Sequence, residues 1–348
     1  MRKSKITIKD VADRAGFSIS TVSHVINSTR FVEEKTKKRI LEVIQELNYR
    51  PNLMARSLKG KGTKTIGIII SNIREVFFSE IISSIENNAN KMGYNIMLCD
   101  SEDDSLKEKI YIDILMQKGI DGLIFAPVNT AQQFDEQFLG RLPTVQIDRK
   151  LLNSGWDFVG IDNVGDSRKA ALHLLDRGYS RVGFVGYNTK VYTMEKRIEG
   201  YQKALSETGQ GSPLIKIVKY KNQDTISSIK RWLLKCGGIN AVICGNDNIC
   251  FETLAAVEEA GMNIPSDIGI VSFDDSKWFR FLKCPVSAIK QPTEEIGRTA
   301  IELLVDKIEN GASNSPRELL LKSELVIRIS CSKGISESNT VRCRVAQN

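Results

Sequence analysis

Apolar residues recur at two different periods along this chain, and the period changes near residue 65. Before that point the spacing is helical. Ile8, Val11, Ala12 and Ala15 share one face of a segment that opens on Thr7 with Asp10 three residues on, a hydroxyl-capped helix start, and Gly16 ends it. Ser18 is a second cap. Residues 19–27 then predict a short helix with Val22, Val25 and Ile26 on its buried side and short polar groups opposite. A third helix is predicted over 35–47, where Ile40, Val43, Ile44 and Leu47 close a three-helix core. After Pro51, the stretch 52–58 could make about two helical turns before Gly60 and Gly62, and a helix that short is marginal alone in water.

From Thr65 the pattern becomes strand, helix, strand. The run Ile66–Ile70 has the length and continuous apolarity of a buried parallel strand, followed by a predicted helix over 78–91 and a strand over 95–99. The alternation continues with helix 106–118, strands 123–126, 144–147 and 158–161, helix 167–177, strand 182–185 and helix 195–207. Strand 215–219, helix 225–235, strand 241–244, helix 249–260 and strand 268–273 complete it. Parallel sheets covered by helices on both faces are expected, in two doubly wound lobes. The predicted organisation is an all-α headpiece (1–50), a hinge or linker (51–64), a two-lobed α/β domain (65–330) and a polar tail (331–348) without leucine heptads.

Charge sharpens this division. Residues 1–64 carry 15 Lys and Arg against 6 Asp and Glu, whereas the rest of the chain carries 34 against 36. The net positive charge of the protein therefore sits in its first fifth, as suits a surface that displaces counterions from phosphates. Short side chains at the start of the second helix let a backbone sit deep in a major groove, which is the helix-turn-helix design.

Other chemistry is sparse. No apolar run approaches a membrane span and the N-terminus has no signal-peptide core, so a cytoplasmic protein without a membrane partner is expected. Seven cysteines are scattered without a CxxC pair, and the histidines are only His24 and His173. Neither a disulfide framework, a metal site nor a Cys/His or Ser/His catalytic set is indicated. There is no GxGxxG after the first strand, no P-loop lysine and no GxSxG elbow, so neither an enzyme nor a cofactor is expected.

Ligands of doubly wound sheets bind beyond the carboxyl ends of the strands. At those places stand Asn72, Phe77 and Phe78, then Asp148 and Arg149, Arg197 opening a helix, Asn246, Asp274, and Gln291 before Pro292. Planar carboxylates, guanidinium groups and amides that each make two hydrogen bonds, with aromatic rings beside them, suit a hydroxyl-rich ligand.

The segments Thr7-Ile8-Lys9-Asp10-Val11-Ala12, Thr21-Val22-Ser23-His24-Val25-Ile26-Asn27, Leu47-Asn48-Tyr49-Arg50-Pro51-Asn52 and Ala55-Arg56-Ser57-Leu58 resemble the headpiece and hinge of the LacI/GalR family of bacterial transcription repressors. The resemblance extends to about Ile329. The headpiece is most similar to that of the family's purine-responsive member, and the cleft residues fall in the order of ribose-type binding proteins. The resemblance implies a periplasmic-binding-protein-like core behind a DNA-binding headpiece. It implies that Ile19, Ser20 and His24 meet bases, that Arg30 follows the recognition helix and that Leu58 wedges into the minor groove. Thr7, Ser18, Thr21, Ser23, Asn27, Asn52, Ala55 and Arg56 complete the DNA-binding set. Ile19 has no hydrogen-bonding group and would read shape or a thymine methyl, whereas the His24 imidazole suits a guanine edge.

Arg149 stands where the purine-responsive member carries a tryptophan, and a guanidinium there suits a sugar or a sugar acid. The expected function is a homodimeric repressor of a carbohydrate-utilisation operon, released from a palindromic double-stranded operator by a sugar or sugar-acid effector bound between the lobes. A purine or other metabolite acting as co-repressor, or a phosphoprotein-dependent global carbon regulator, is the alternative. Arg74, Arg149 and Lys150 suit either a carboxylate or a phosphate.

Overall fold

The computed structural model describes residues 6–27, 30–49, 62–129, 142–151, 154–187, 190–219, 224–311 and 315–333. Contacts divide the chain into two units, one up to Thr63 and one from Lys64. The hinge residues Asn52, Ala55, Arg56 and Leu58, and the tail from 334, lie outside the described residues.

The described residues of the first unit form three helices: α1 (Ile8–Ala15), α2 (Ile19–Asn27) and α3 (Glu34–Glu46). Thr7 and Asp10 form a reciprocal capping box, and the Thr7 N–H donates to the Asp10 carboxylate at 2.6 Å. Gly16, at φ +78°, ends α1 in the left-handed region that glycine adopts without a Cβ penalty. The Ser18 hydroxyl accepts from the Thr21 N–H at 3.1 Å and so starts α2. Val11, Ala12, Val22, Val25, Ile40 and Val43 form the core between them. The Arg14 guanidinium ties α1 to the end of α3 by a bond to Glu46 at 2.7 Å.

The second unit begins with β1 (Thr65–Ile70), α4 (Val76–Lys91), β2 (Asn95–Asp100), α5 (Ser105–Gln117), β3 (Gly122–Phe125), β4 (Thr144–Ile147) and β5 (Asp157–Ile161). It continues with α6 (Asn163–Asp176), β6 (Val182–Tyr187), α7 (Tyr192–Glu207), β7 (Leu214–Val218), α8 (Thr225–Lys235), β8 (Ala241–Cys244), α9 (Asp247–Glu259) and β9 (Gly269–Phe273). A 3-10 turn (Lys277–Phe281), β10 (Ser287–Lys290), α10 (Thr293–Asn310), β11 (Glu318–Leu321), β12 (Glu324–Val326) and a second 3-10 turn (Ile329–Cys331) close it.

Two six-stranded sheets result, ordered β11-β5-β4-β3-β1-β2 and β12-β10-β9-β8-β6-β7. Every pairing is parallel except β10 with β12. The first strand shows why its sequence is continuously apolar. Ile66, Ile68 and Ile70 belong to one core, while Ile69 belongs to the layer of Ile112, Leu115, Leu123 and Phe125 on the opposite face. Both faces are covered, so no position can be polar.

The chain passes between the lobes three times: after β5, after β10, and between β11 and β12. Helix α10 thus returns to the first lobe and packs on α4, where a Cβ on Gly297 would lie 2.7 Å from the Ile81 carbonyl oxygen. No larger residue fits there without moving the backbone. Several helices begin earlier than the pattern predicts, at Val76, Asn163 and Tyr192, and the added turns carry Phe77 and Thr193 of the cleft. The helices and strands after Phe273 are added by the structure, and Cys331, predicted to open the tail, is fully buried in the second lobe.

Among the described residues no helix is long and apolar enough to cross a membrane.

Candidate functional site

On the headpiece, α2 presents Ile19 and Ser20 exposed, with Thr21, Ser23 and His24 half-exposed, and Arg30 exposed beyond it. Ile19, Ser20, Ser23 and His24 share one face of α2, opposite the buried Val22 and Val25. Thr7 and Ser18 have cap roles, so their hydroxyls hold the two helices at their turn. The side chain of Asn27 lies outside the described residues.

In the second unit the strand ends converge on a cleft between the lobes. After β4 the chain turns sharply, with the Arg149 N–H donating to the Ile147 carbonyl at 2.5 Å and Asp148 at φ +58°. Asp274, after β9, has φ +65°. Two non-glycine residues in left-handed backbone, both carrying carboxylates into one cleft, are strain of the kind that clusters at ligand sites. Asp tolerates this backbone better than most residues, because its short side chain bonds locally.

The Arg149 guanidinium donates to Asp103 at 2.6 Å and to the Tyr187 hydroxyl across the cleft at 3.5 Å. Arg197 donates to the Asn163 amide oxygen at 2.8 Å and to the Gly245 carbonyl at 2.6 Å, and stacks 4.1 Å from the centre of the Phe273 ring. Asn246 caps α9 by accepting from the Ile249 N–H, and the Gln291 amide donates to Asp274 at 2.6 Å.

Phe77, Asp148, Arg149, Arg197, Asn246, Asp274 and Gln291 therefore line one small cavity of about 10 Å³, together with Glu75, Tyr187 and Thr193. That is room for roughly one water. A larger chamber of about 310 Å³ adjoins it and shares Phe77, Asp274 and Gln291. Two predicted residues stand elsewhere. Phe78 is 1% exposed and packs in the core of the first lobe, on the far side of α4's first turn. Asn72 shapes the loop: its amide oxygen accepts from the Arg74 N–H at 3.1 Å, and its amide nitrogen reaches Glu75 at 3.4 Å. Arg197 lies in the second turn of α7 and does not open it.

The residues missed by sequence reasoning are Glu75, Tyr187 and Thr193 in the lining, and Asp103 and Asn163 as holders of the two arginines. Tyr187 ends β6, so the strand-end rule applied there would have found it. Glu75 carries no such signal, since an acid before an apolar helix start reads as a solvated first-turn charge.

Burial governs the acids here. It pushes the Glu75 carboxyl up to about 8, with Arg149 opposing and Asp103, Asp274 and Asp247 adding to the shift. Desolvation likewise raises Asp274 to about 7 against the pull of Arg197, and raises Asp148. A carboxyl whose pKa is raised on folding binds its proton more tightly in the folded state. Its contribution to stability is complete below about 4.5 and is lost as pH rises through about 8. Unfolding free energy is therefore expected to fall between about pH 4.5 and 8, with a slope from Glu75 of up to about 1.4 kcal/mol per pH unit, and Glu75→Gln should reduce that slope. Calorimetric scans across that range, with an equal slope in the variant counting against this assignment, provide the check.

Similarity to known proteins follows the same two units. Residues 7–52 match the model of bacterial regulatory proteins of the lacI family, and residues 171–331 match a periplasmic binding protein-like domain. The chain is 33% identical over 312 residues to the HTH-type transcriptional repressor PurR of Aliivibrio salmonicida, covering 87% of this chain and 92% of the relative. It is 32% identical over 324 residues to the ribose operon repressor of Haemophilus influenzae, covering 92% and 97%. In fold it matches the lac repressor dimer bound to operator and the anti-inducer ONPF, with a TM-score of 0.81 at 22% identity over 94% of this chain and 99% of that one.

The headpiece, the two-lobed core and these relatives define a helix-turn-helix regulator with a ligand-binding-protein core. The chain belongs to the LacI family and is a DNA-binding transcriptional repressor, not an enzyme.

Proposed function

We propose that this repressor acts as a homodimer on a near-palindromic operator in the cytoplasm, and that a sugar-class effector entering the interlobe cleft releases it. The observation that carries the effector reading is the convergence of Asp148, Arg149, Arg197, Asn246, Asp274 and Gln291, with Phe77, on one buried cavity. The named relatives divide between PurR and a ribose operon repressor, so the effector class rests on the cleft.

Three features favour a polyol. Planar groups that pair two hydrogen bonds each match adjacent hydroxyls. The face of Phe273 is taken by Arg197, which weakens the case for stacking a flat base there. In the small cavity a phosphate or sugar acid would meet Glu75, Asp148 and Asp274 beside Arg149 and Arg197, while Arg74 is exposed, Lys150 is paired with Glu318, and in the adjoining chamber Lys277 and Arg328 are paired with Glu80 and Asp275.

A cavity of about 10 Å³ admits no sugar until the lobes part. Parting them breaks the contacts of Arg149 with Tyr187, of Glu80 with Lys277 at 3.1 Å, and of Phe158 with Tyr192. The base of the linker is fixed to the first lobe: the Lys64 N–H donates to Asp121 at 2.6 Å and its Nζ pairs with Glu309 at 3.2 Å. Lobe movement in a dimer therefore changes the spacing of the two linkers, a coupling of about 1–3 kcal/mol per effector in such systems. Calorimetric titration with free sugars tests this reading. Binding that Arg197→Ala removes supports it, and binding by a nucleobase alone overturns it.

Each lobe also presents an apolar face suited to a second copy. On α5, Leu106, Ile110 and Ile114 are 72%, 56% and 39% exposed at four-residue spacing, beside Leu98 on the edge strand β2. On the second lobe Phe251 and Phe281 are exposed next to Trp278. Ile110→Glu is expected to raise the dimer dissociation constant at least about tenfold by burying a charge in an apolar contact, and to weaken operator binding with it. Sedimentation equilibrium reads the first effect, and an unchanged dimer would remove α5 from the interface.

A further inference from the structure

The small cavity holds more carboxyl groups than it has cations at ion-pair distance from them. Among the described residues Glu75, Asp148 and Asp274 line the small cavity with Arg149 and Arg197, and Asp103 stands beside it; Asp247 lies in the adjoining chamber, where Lys277, Arg280, Lys290 and Arg328 also stand. The Arg149 guanidinium is held by Asp103, with its Nε 3.8 Å from Asp148 and so beyond hydrogen-bond distance, and Arg197 is held by Asn163 and Gly245. Glu75 is more than nine-tenths buried, receives one long bond from Asn72 at 3.4 Å, and has no ion-pair partner within 4 Å among the described residues. Asp274 accepts a hydrogen bond from the neutral Gln291 amide and feels the Arg197 charge, but has no ion-pair partner within 4 Å among the described residues. Leaving buried carboxylates without a cation is costly, and a ligand that supplies one recovers that cost.

Resting on the sugar-class reading of the cleft, we propose that the effector is an amino sugar or related amino polyol, whose protonated amine lies against Glu75 and Asp274 while its hydroxyls meet Asp148, Arg149, Arg197, Asn246 and Gln291. A second observation points the same way. Arg149 is 2% exposed and lines the cavity, yet its Nε has no hydrogen-bond partner, so a donor stands ready for a ligand oxygen. The ammonium has three donors and no acceptor, which is the complement of two carboxyl groups once both are ionised and only accept. Phe77 supplies the apolar surface beside them.

Proton balance makes the proposal testable. The buried Glu75 carboxyl, held up to about 8, is mostly protonated at pH 7. Seating an ammonium beside it favours the carboxylate, so the proton leaves Glu75 for the buffer while the ligand keeps its own. Up to about one proton is released per amine bound, and affinity rises with pH until the amine itself deprotonates. The groups facing Glu75 are Arg149, Asp103, Asp274, Asp247 and the Tyr187 hydroxyl, and none of the five is a cation at ion-pair distance from its carboxylate.

The test is calorimetric titration of the full-length protein at pH 7, in two buffers of different ionisation heat. The probes are glucosamine, galactosamine and mannosamine, each beside its neutral parent and its N-acetyl derivative, with gluconate and a nucleobase as controls. One amine is expected to bind at least tenfold more tightly than its neutral counterparts and to release a proton. Glu75→Gln should cut that affinity at least tenfold, and Asp274→Asn, which keeps a side chain tolerant of the left-handed backbone, should do the same. A neutral sugar or gluconate binding as tightly as the amine overturns the proposal while leaving the sugar-class reading standing. So does an amine preference that survives in both variants. Absence of binding by every amine overturns the proposal, and binding by the nucleobase instead overturns the sugar-class reading with it.

Discussion

Replacing Arg197 with alanine is expected to abolish the effector response, weakening effector binding at least about a hundredfold while leaving a folded protein. The side chain is 3% exposed and joins three elements: the start of α6 through Asn163, the end of β8 through Gly245, and β9 through the Phe273 ring. Its removal deletes a charged donor from the cavity lining and leaves two buried acceptors unpaired. Hydrogen bonds to charged groups contribute about 1.5–3 kcal/mol each, so loss of one or two accounts for the factor. Arg197→Lys keeps the charge but not the planar fork, and should recover only part of the affinity. Titration calorimetry separates the three proteins. A normal response in Arg197→Ala would mean that the effector binds elsewhere.

Asp157→Ala should cost about 3–5 kcal/mol of stability, the largest effect expected outside the cleft. Asp157 is fully buried at the start of β5 and accepts from the Arg317 backbone N–H at 2.7 Å, from Arg317 Nε at 3.2 Å and from Lys307 Nζ at 3.1 Å. It therefore joins β5, α10 and the entry to β11. Lys307 is only 7% exposed, so truncating its partner strands a buried cation. Asp157→Asn, which keeps an acceptor for the backbone bond but not the charge, should fall between. Urea denaturation measures the difference, and a loss below about 1 kcal/mol would show that Lys307 finds water instead.

The two predictions draw on features that differ in how plainly they are written in the chain. The strand Ile66–Ile70 is legible because both its faces are covered, so every residue is apolar. The capping box of Thr7 with Asp10 and the stop at Gly16 are local and equally plain. Asp148, Arg149, Asn246 and Asp274 are legible because they directly follow strands whose direction sets where a ligand lies. Asp157 is not: its partners lie 150 and 160 positions away, and a lone acid at a strand start looks like any other. Glu75 is missed and Asn72 chosen in its place because a loop between β1 and α4 has no period, so which side chain it turns inward depends on packing. Phe77 and Phe78 are adjacent, and one helical step decides that the first borders the cleft and the second fills the core.

Helix α10 shows a different reason for illegibility. Ile296, Ala300, Ile301 and Leu304 have helical spacing, so the element itself could be predicted. Its return to the first lobe could not, because that follows from where β10 ends and from the close approach of Gly297 to α4. The three crossings place the cleft between the two lobes.

The most direct measurement is an anisotropy titration of the full-length protein against an operator duplex selected from random sequence, at one fixed salt concentration, with and without the sugar-class ligand that calorimetry identifies. Salt is held constant because phosphate contacts make affinity depend steeply on it. The account predicts operator affinity about 5–150-fold lower with ligand present, and no such change in Arg197→Ala. Ligand that fills the cleft yet leaves operator affinity unchanged would contradict it.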